Sequence, residues 1–409
     1  MTICIIKLNV KKIIIKMKCR ITNNKCKIFL DLGKMPIANG FLKKKQFAKE
    51  YFFSLKVAFS EKLSLVQLVN HPNPSKMFNK NYPFYSSSSS FMIGHFKKYA
   101  TWIKKKFLKK GDKILELGSN DGTFLKNFDS NYYSIGYEPS ESVHKVALSN
   151  DVNSINNFFN YKNIKNLIKK KIKFNVIVGS NVICHIPNQK ELISCFNKLL
   201  NRNGTIIFEE PYLGSMYKKV SYDQIYDEHI YMFSLTSIEK IYQLFNFELI
   251  DAIPQKTHGG SMRYIIKRKG LNKKSARLLK LLKLEKKNNV NSFLGCKKFK
   301  KEVENSKIRL MKRIEKILAS GKKICGYGAT SKSTTILNYC KIDNTMIDCV
   351  FDTTPDKIGK LSPGMHIPIK HYKYFKNSDY KNVFLFAWNH KKEILKKEKS
   401  KKIKWLTHL

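Results

Sequence analysis

Between residues 76 and 268 short apolar runs alternate with stretches of helical period. KILEL (Lys113–Leu117), YSIGY (Tyr133–Tyr137) and the runs at 175–178 and 205–208 are bounded by Gly, Asn and Asp, which predicts buried strands. Strands that alternate with helical patterns build a parallel α/β sheet. From 271 to 320 Gly and Pro nearly vanish and apolar residues recur at helical spacing (Leu278, Leu281, Leu282; Leu310, Ile314, Ile317), predicting one or two connecting helices broken near 288–295. A second α/β unit follows, with strands expected at 323–327, 347–351 and 382–387. Residues 17–75 are short and mixed, with turn signals at Leu32-Gly33 and at 71–74. The expected organisation is an extension (1–16), a small N-terminal domain (17–75), a Rossmann-like α/β domain (76–268), a helical connector (269–320) and a second Rossmann-like α/β domain (321–409).

Composition changes this picture little. The chain has 409 residues, 43% of them hydrophobic, which suits two or three cores. No stretch has the roughly 18 apolar residues of a membrane helix. The start, MTICIIKLNVKKIIIKM, is interrupted by Lys7, Lys11, Lys12 and Lys16 and lacks the continuous run of about 7–15 apolar residues of a secretory signal. Residues 1–16 therefore read as an extension, Met17 is an alternative start, and a cytoplasmic location is expected. Lys and Arg number 78 against 30 Asp and Glu, a net charge of +48. Nucleic acid or an acidic membrane would suit such a field. The lysines are spread over every region, however, alongside abundant Asn, Ile and Phe, as composition bias would spread them; neither partner is expected. A positive field also attracts an anionic small molecule such as a nucleotide diphosphate. Nine cysteines without a CxxC pair read as reduced thiols.

The strand KILEL carries Glu116 and ends in Gly118-Ser119-Asn120-Asp121-Gly122, before a helix expected near Thr123. Glycines permit positive φ and close backbone approach, and a helix start presents free N–H groups. About twenty residues on, the next strand ends in Glu138-Pro139, where an acid can grip a ribose diol. NAD would be the alternative ligand, but GSNDG lacks the G-x-G-x-x-G spacing that cradles a pyrophosphate. The loop therefore predicts S-adenosylmethionine. The third strand leads into Asn181-Val182-Ile183-Cys184-His185; a helical turn there would put Asn181 and His185 on one face, at the sheet end where ligands bind. The fourth strand runs into FEEPY, unlike the Asn/Asp-Pro-Pro-Tyr of many amino-group methyltransferases.

The segment 221–234, SYDQIYDEHIYMFS, concentrates ionisable groups. As a helix it would place Tyr226 and His229 on one face with Glu228 beside them, and a histidine among acids suits a general base. A solvated polar helix is the bland alternative.

Taken together, GSNDG, NVICHIP, FEEPYLG, DQIYDEH, HGGSMR (258–263), GYGATSKSTTILNYC (326–340), FDTTPDKIGKLSPGMHIPI (351–369) and FAWNH (386–390) resemble the sugar C-methyltransferases that act on nucleotide-linked ketosugars. The motifs occur in family order across nearly the whole chain from Cys19. The resemblance implies a methyltransferase domain between an N-terminal zinc-binding module and a C-terminal Rossmann-like domain. It implies S-adenosylmethionine as methyl donor, His229 or Glu228 as catalytic base, and Tyr226 and His185 as contacts to the sugar. It places the loop Tyr82-Pro83-Phe84-Tyr85-Ser86-Ser87 at the site. Phe84 stands where family members usually carry a second Tyr, so Tyr82 or Tyr85 would take over. Lys332 would meet the substrate diphosphate.

One departure is marked. The family module holds zinc with two CxxC pairs around D-L-G-x-x-P-x-A-N (here 31–39) and ahead of L-V-Q-L (here 65–68), yet the ligand positions read Cys19, Thr22, Ser60 and Leu63. One thiolate cannot hold a tetrahedral structural zinc, and Cys26 and His71 are wrongly spaced to replace the rest. The module is expected to persist by apolar packing without metal. The competing readings are a methyltransferase of RNA or of another small molecule, and a silent homologue that keeps the fold alone.

Overall fold

The computed structural model describes residues 17–79, 82, 84–399 and 402–409; the extension assigned to 1–16, and Pro83 of the tyrosine–serine loop, lie outside the described residues. Its central sheet has seven strands in the order Phe247–Gln255, Ser261–Arg268, Leu200–Pro211, Phe174–Ser180, Lys113–Leu117, Tyr133–Tyr137 and Ser154–Ile155. The last five run parallel, and Ser261–Arg268 pairs antiparallel on both sides. Alternation along the strands feeds two cores. Ile114, Val176, Val178 and Ile207 pack with Phe96, Tyr99 and Ile103 of the helix Ser90–Phe107. Their neighbours Leu115, Leu117, Ile177 and Ile206 pack with Leu192, Phe196 and Leu199 of the helix Gln189–Leu199. Burial on both faces is why these strands read as continuous apolar runs.

Helices form where the sequence supplies caps as well as period. Ser89 accepts the Met92 N–H to start Ser90–Phe107, and Lys104–Lys106 in its last turn suit the negative end of the helix dipole. The connector is two helices, Ala276–Lys287 and Phe293–Ala319, capped by Ser275 and Ser292 and broken where expected. Glu285 is an acid on a buried face because it accepts the Tyr212 hydroxyl (2.8 Å), the Thr236 hydroxyl (2.7 Å) and the Leu235 and Thr236 N–H groups (2.6 and 3.0 Å). The C-terminal sheet is five parallel strands: Ile369–His371, Val350–Asp352, Ile324–Tyr327, Asn382–Leu385 and Lys404–Leu406. Among the described residues no helix is long and apolar enough to cross a membrane.

Four local expectations need correction. The helix expected near Thr123 is a single 3-10 turn, Leu125–Asn127. The turn at Leu32-Gly33 is a bulge inside the strand Lys27–Pro36: Gly33 (φ +84°) donates to Asp31 Oδ1 and the register shifts between Asp31 and Lys34. The strand expected at 347–351 begins only at Val350, because Ile347 N–H closes a turn onto Asp343. The segment 221–234 is not a helix. After a 3-10 turn, Tyr222–Gln224, it passes through a tight loop into the strand Tyr231–Met232. That strand completes an antiparallel sheet with Lys27–Pro36, Phe52–Ser60 and Leu65–Leu68, so the catalytic candidates sit on a loop anchored in the N-terminal module.

Candidate active site

A cavity of about 1290 Å³ opens between the central and C-terminal sheets, and Asn39 and Asn73 of the N-terminal module line it from loops. One half is the loop after Lys113–Leu117. Gly118 takes φ +62°, and a Cβ there would lie 2.8 Å from Val182 Cγ2, so only glycine fits the close approach. Glu138 fixes this loop by accepting the Asn120 N–H (3.0 Å) and the Ser140 N–H (2.8 Å). Burial pushes its carboxyl up to about 7 against those hydrogen bonds. Gly118, Asn120, Glu138, Pro139 and Asn181 line the cavity; Glu116, Ser119 and Gly122 do not. Glu116 is buried with Oε2 unpartnered, and burial beside Asp121 and Glu138 holds its carboxyl well above the usual range. A glycine cradle and an acid at the second strand end, both on the cavity wall, suit a cationic, polar ligand.

The serine loop closes over this half through its backbone. Ser86 N–H donates to Asn120 Oδ1 (2.9 Å), Ser87 N–H to Asp121 Oδ2 (2.8 Å), and Asn120 Nδ2 donates back to the Phe84 carbonyl (3.1 Å). Tyr82 and Tyr85 line the cavity; Ser87 does not, and its N–H serves this docking contact.

The other half is built on the loop 225–229. His229 Nδ1 lies 2.7 Å from the Gln224 carbonyl, which can only accept, so Nδ1 carries the hydrogen and Nε2 the lone pair. Tyr226 Oη meets Nε2 at 2.9 Å, so the i,i+3 contact forms across a loop turn rather than on a helix. Burial, with help from Lys332, lowers the His229 pKa to about 4, keeping it neutral. Glu228 accepts from Asn39 Nδ2 (2.7 Å) and the Tyr82 hydroxyl (3.3 Å); burial raises it to about 7, opposed by those bonds and by Lys357. His185 stacks between the rings of Phe78 (5.5 Å) and His229 (5.3 Å), with Nε2 buried and unpartnered and its pKa held well down by burial.

Asn181 and His185 are not on one helical face. Asn181 takes φ +54°, His185 ends the 3-10 turn Ile183–His185, and Asn181 Nδ2 reaches His258 Nε2 (2.9 Å). That turn is held by Glu210, whose Oε1 accepts the Val182, Ile183 and Cys184 N–H groups. Lys332 is a buried cavity residue in the first turn of the helix Ser331–Cys340, its Nζ 5.1 Å from the Trp388 ring. Burial lowers its pKa, and Asp223 opposes the shift. The sequence reading missed Asn39, His258 and Lys357, which also line the cavity. Each lies in a motif quoted for other reasons, DLGKMPIAN, HGGSMR and FDTTPDKIG; what hid them is that their contacts are tertiary, Asn39 to Glu228, His258 to Asn181 and Lys357 to the Phe41 ring.

In the N-terminal module the thiols of Cys19 and Cys26 face each other. Hydrogen bonding from Cys26 holds Cys19 down at about 5, while the same contact drives Cys26 up. The hairpin that pairs Lys18 with Lys25 brings the two together, a proximity their spacing did not suggest. The hydroxyls of Thr22 and Ser60 are buried beside these thiols, Thr22 toward Cys19 and Ser60 toward Cys26, and Leu63 packs in the core around Cys19, Ile21 and Leu65. His71 turns Nδ1 to the Pro72 carbonyl, and among the described residues no third His, Cys or carboxylate joins the two thiols. Two thiols and two hydroxyls do not fit a structural zinc.

Three family models match in succession: a zinc binding domain over residues 19–78, a methyltransferase domain over 92–252 and a C-methyltransferase C-terminal domain over 256–408. The chain is similar to C-methyltransferase NovU of Streptomyces niveus, 25% identical over 374 residues that cover 90% of this chain and 89% of that protein. Among solved structures it is similar to the magnesium protoporphyrin IX methyltransferase ChlM of Synechocystis PCC 6803 (14% identity, 43% of this chain and 83% of that one, TM-score 0.34). It is also similar to the plantazolicin methyltransferase BpumL (14% identity, 45% and 87%, TM-score 0.36). With these matches in this order, the chain is an S-adenosylmethionine-dependent methyltransferase that is similar to the C-methyltransferases.

Proposed function

We propose that the protein methylates the carbon beside the keto group of a nucleotide-linked deoxy-ketosugar, through an enolate formed by a base of the 225–229 loop. The observation that carries this reading is the fixed tautomer of His229: its lone pair is on Nε2, in the cavity wall, beside a tyrosine hydroxyl. Carbon becomes a nucleophile only when a neighbouring carbonyl acidifies its C–H bond and a base removes the proton. Nε2 of His229 takes that proton, and the bond from Nδ1 to the Gln224 carbonyl stabilises the imidazolium. Tyr226, freed from Nε2, turns its hydroxyl to the enolate oxygen, with His185 Nε2 beside it. Glu228 is the rival base, and the pH profile below separates the two. S-adenosylmethionine supplies the electrophilic methyl group, and Gly118, Asn120, Glu138, Pro139 and Asn181 would hold it.

The acceptor class follows from charge. Lys332, buried, and Lys357, half-buried, are cations of the C-terminal domain on the same cavity, and two such cations suit a diphosphate. Binding energy from the nucleotide would then orient the sugar at His229. We further propose that the N-terminal module works without zinc. A panel of nucleoside-diphosphate ketosugars incubated with the methyl donor tests the reading by mass spectrometry. Gain of one CH2 on the sugar portion is expected; methylation of RNA or another small molecule instead would overturn it.

A further inference from the structure

Resting on that reading of the site, we propose that Asn39, from the N-terminal module, is a positioning residue that holds Glu228 against the catalytic loop and ties its orientation to docking of the C-terminal domain. Asn39 Nδ2 donates to Glu228 Oε1 at 2.7 Å, and Asn39 Oδ1 accepts from the Ser331 hydroxyl at 3.0 Å. The carboxylate can only accept, so the amide nitrogen must face Glu228 and the amide oxygen must face Ser331. One side chain thus joins three parts of the chain with its donor and acceptor ends both used. The flanking backbone repeats the bridge: Ala38 N–H donates to Asp227 Oδ1 (3.1 Å) and the Ala38 carbonyl accepts from Thr334 Oγ1 (2.8 Å).

The location makes this more than a packing contact. Asn39 itself lines the cavity, and Ser331 begins the helix that carries Lys332. The Asn39 hydrogen bond is the largest effect opposing the burial that raises the Glu228 carboxyl. The other groups facing that carboxyl are Tyr82, Tyr226, Asp227, Cys184 and Lys357. An aspartate at 39 would set a second carboxylate on Glu228, and an alanine would leave Oε1 without its donor. The module's lasting task is then to deliver residues 38–39, whether or not it binds metal.

The test compares Asn39→Ala and Ser331→Ala, alone and with Glu228→Gln, in the full-length chain. Asn39→Ala should lower kcat by about ten- to a hundredfold, the range for losing a hydrogen bond to a charged group, with a smaller effect on KM. In the Glu228→Gln background it should change kcat less than about twofold, since residues acting through one another are not additive. Ser331→Ala breaks only the far end and should cost severalfold. An equal loss from Asn39→Ala in both backgrounds, or no loss in either, would overturn the proposal. Infrared titration of the Glu228 carboxyl, assigned by its disappearance in Glu228→Gln, needs no substrate. Its midpoint should rise from about 7 in Asn39→Ala; an unmoved midpoint contradicts the positioning role. A wild-type chain that methylates no ketosugar while the midpoint still shifts would sink the substrate reading and leave Asn39 in its role.

Discussion

The thiol pocket of the N-terminal module and the loop 225–229 lie on one antiparallel sheet, and they have fared differently. At the pocket, the family ligand positions hold Cys19, Thr22, Ser60 and Leu63, and the sheet stands on apolar contacts around Ile21, Leu63 and Leu65. At the loop, Asp227, Glu228 and His229 are buried, Tyr226 is half-buried, and all four are engaged with a named partner. The contrast separates two kinds of requirement. A structural metal only joins parts of a chain, and burial of each large aliphatic side chain, at roughly 1.5–3 kcal/mol, can take over that task. A base must present a lone pair at one atom, and no amount of packing replaces it.

The largest effect that could break this contrast is loss of His229. His229→Ala should lower turnover by about 10²–10⁴ while calorimetry shows the methyl donor binding as before; turnover near wild type would remove His229 from the reaction. Next comes Tyr226→Phe, which deletes the hydroxyl facing Nε2 and should cost about 10²–10³ in kcat if it serves the enolate oxygen. A third, sharper test is the pH profile of kcat/KM, which reports the free enzyme's base. A base works unprotonated, so activity is present above its pKa and lost as pH falls through it. His229 predicts an acid limb near 4, Glu228 one near 7.

The other side of the comparison predicts smaller changes. Leu63→Ala should destabilise the chain by about 2–5 kcal/mol, the usual cost of a buried Leu→Ala truncation, as read by denaturant unfolding. A chelator should leave the melting temperature unchanged, and metal analysis should find well under one equivalent of zinc. A full equivalent, or melting that collapses on chelation, would restore the module to a metal site.

Much of this was legible in the sequence, unevenly. Lys113–Leu117 and Tyr133–Tyr137 match their predicted bounds because a buried strand flanked by Gly and Asn has only one way to read. The segment 221–234 has ionisable residues that share helical spacing, which points to a helix there. Its true course is set by pairing of Tyr231–Met232 with Leu65–Leu68, a contact some 165 residues away in sequence that no local pattern encodes. His258 was hidden by its strained conformation (φ +48°) and its partner Asn181, both tertiary facts. Cys26 was set aside on spacing, yet a tight hairpin brings it to Cys19. The donor loop, by contrast, is local chemistry, and glycine at 118 announces the close approach that the fold makes there.

The most direct test of the central claim is where the methyl group goes. A methyl donor labelled with carbon-13, incubated with nucleoside-diphosphate ketosugars and followed by NMR, should yield a methyl signal coupled to the sugar carbon next to the ketone, with that carbon's proton lost. A labelled methyl on oxygen or nitrogen, or label incorporated into no sugar at all, would contradict enolate chemistry at His229.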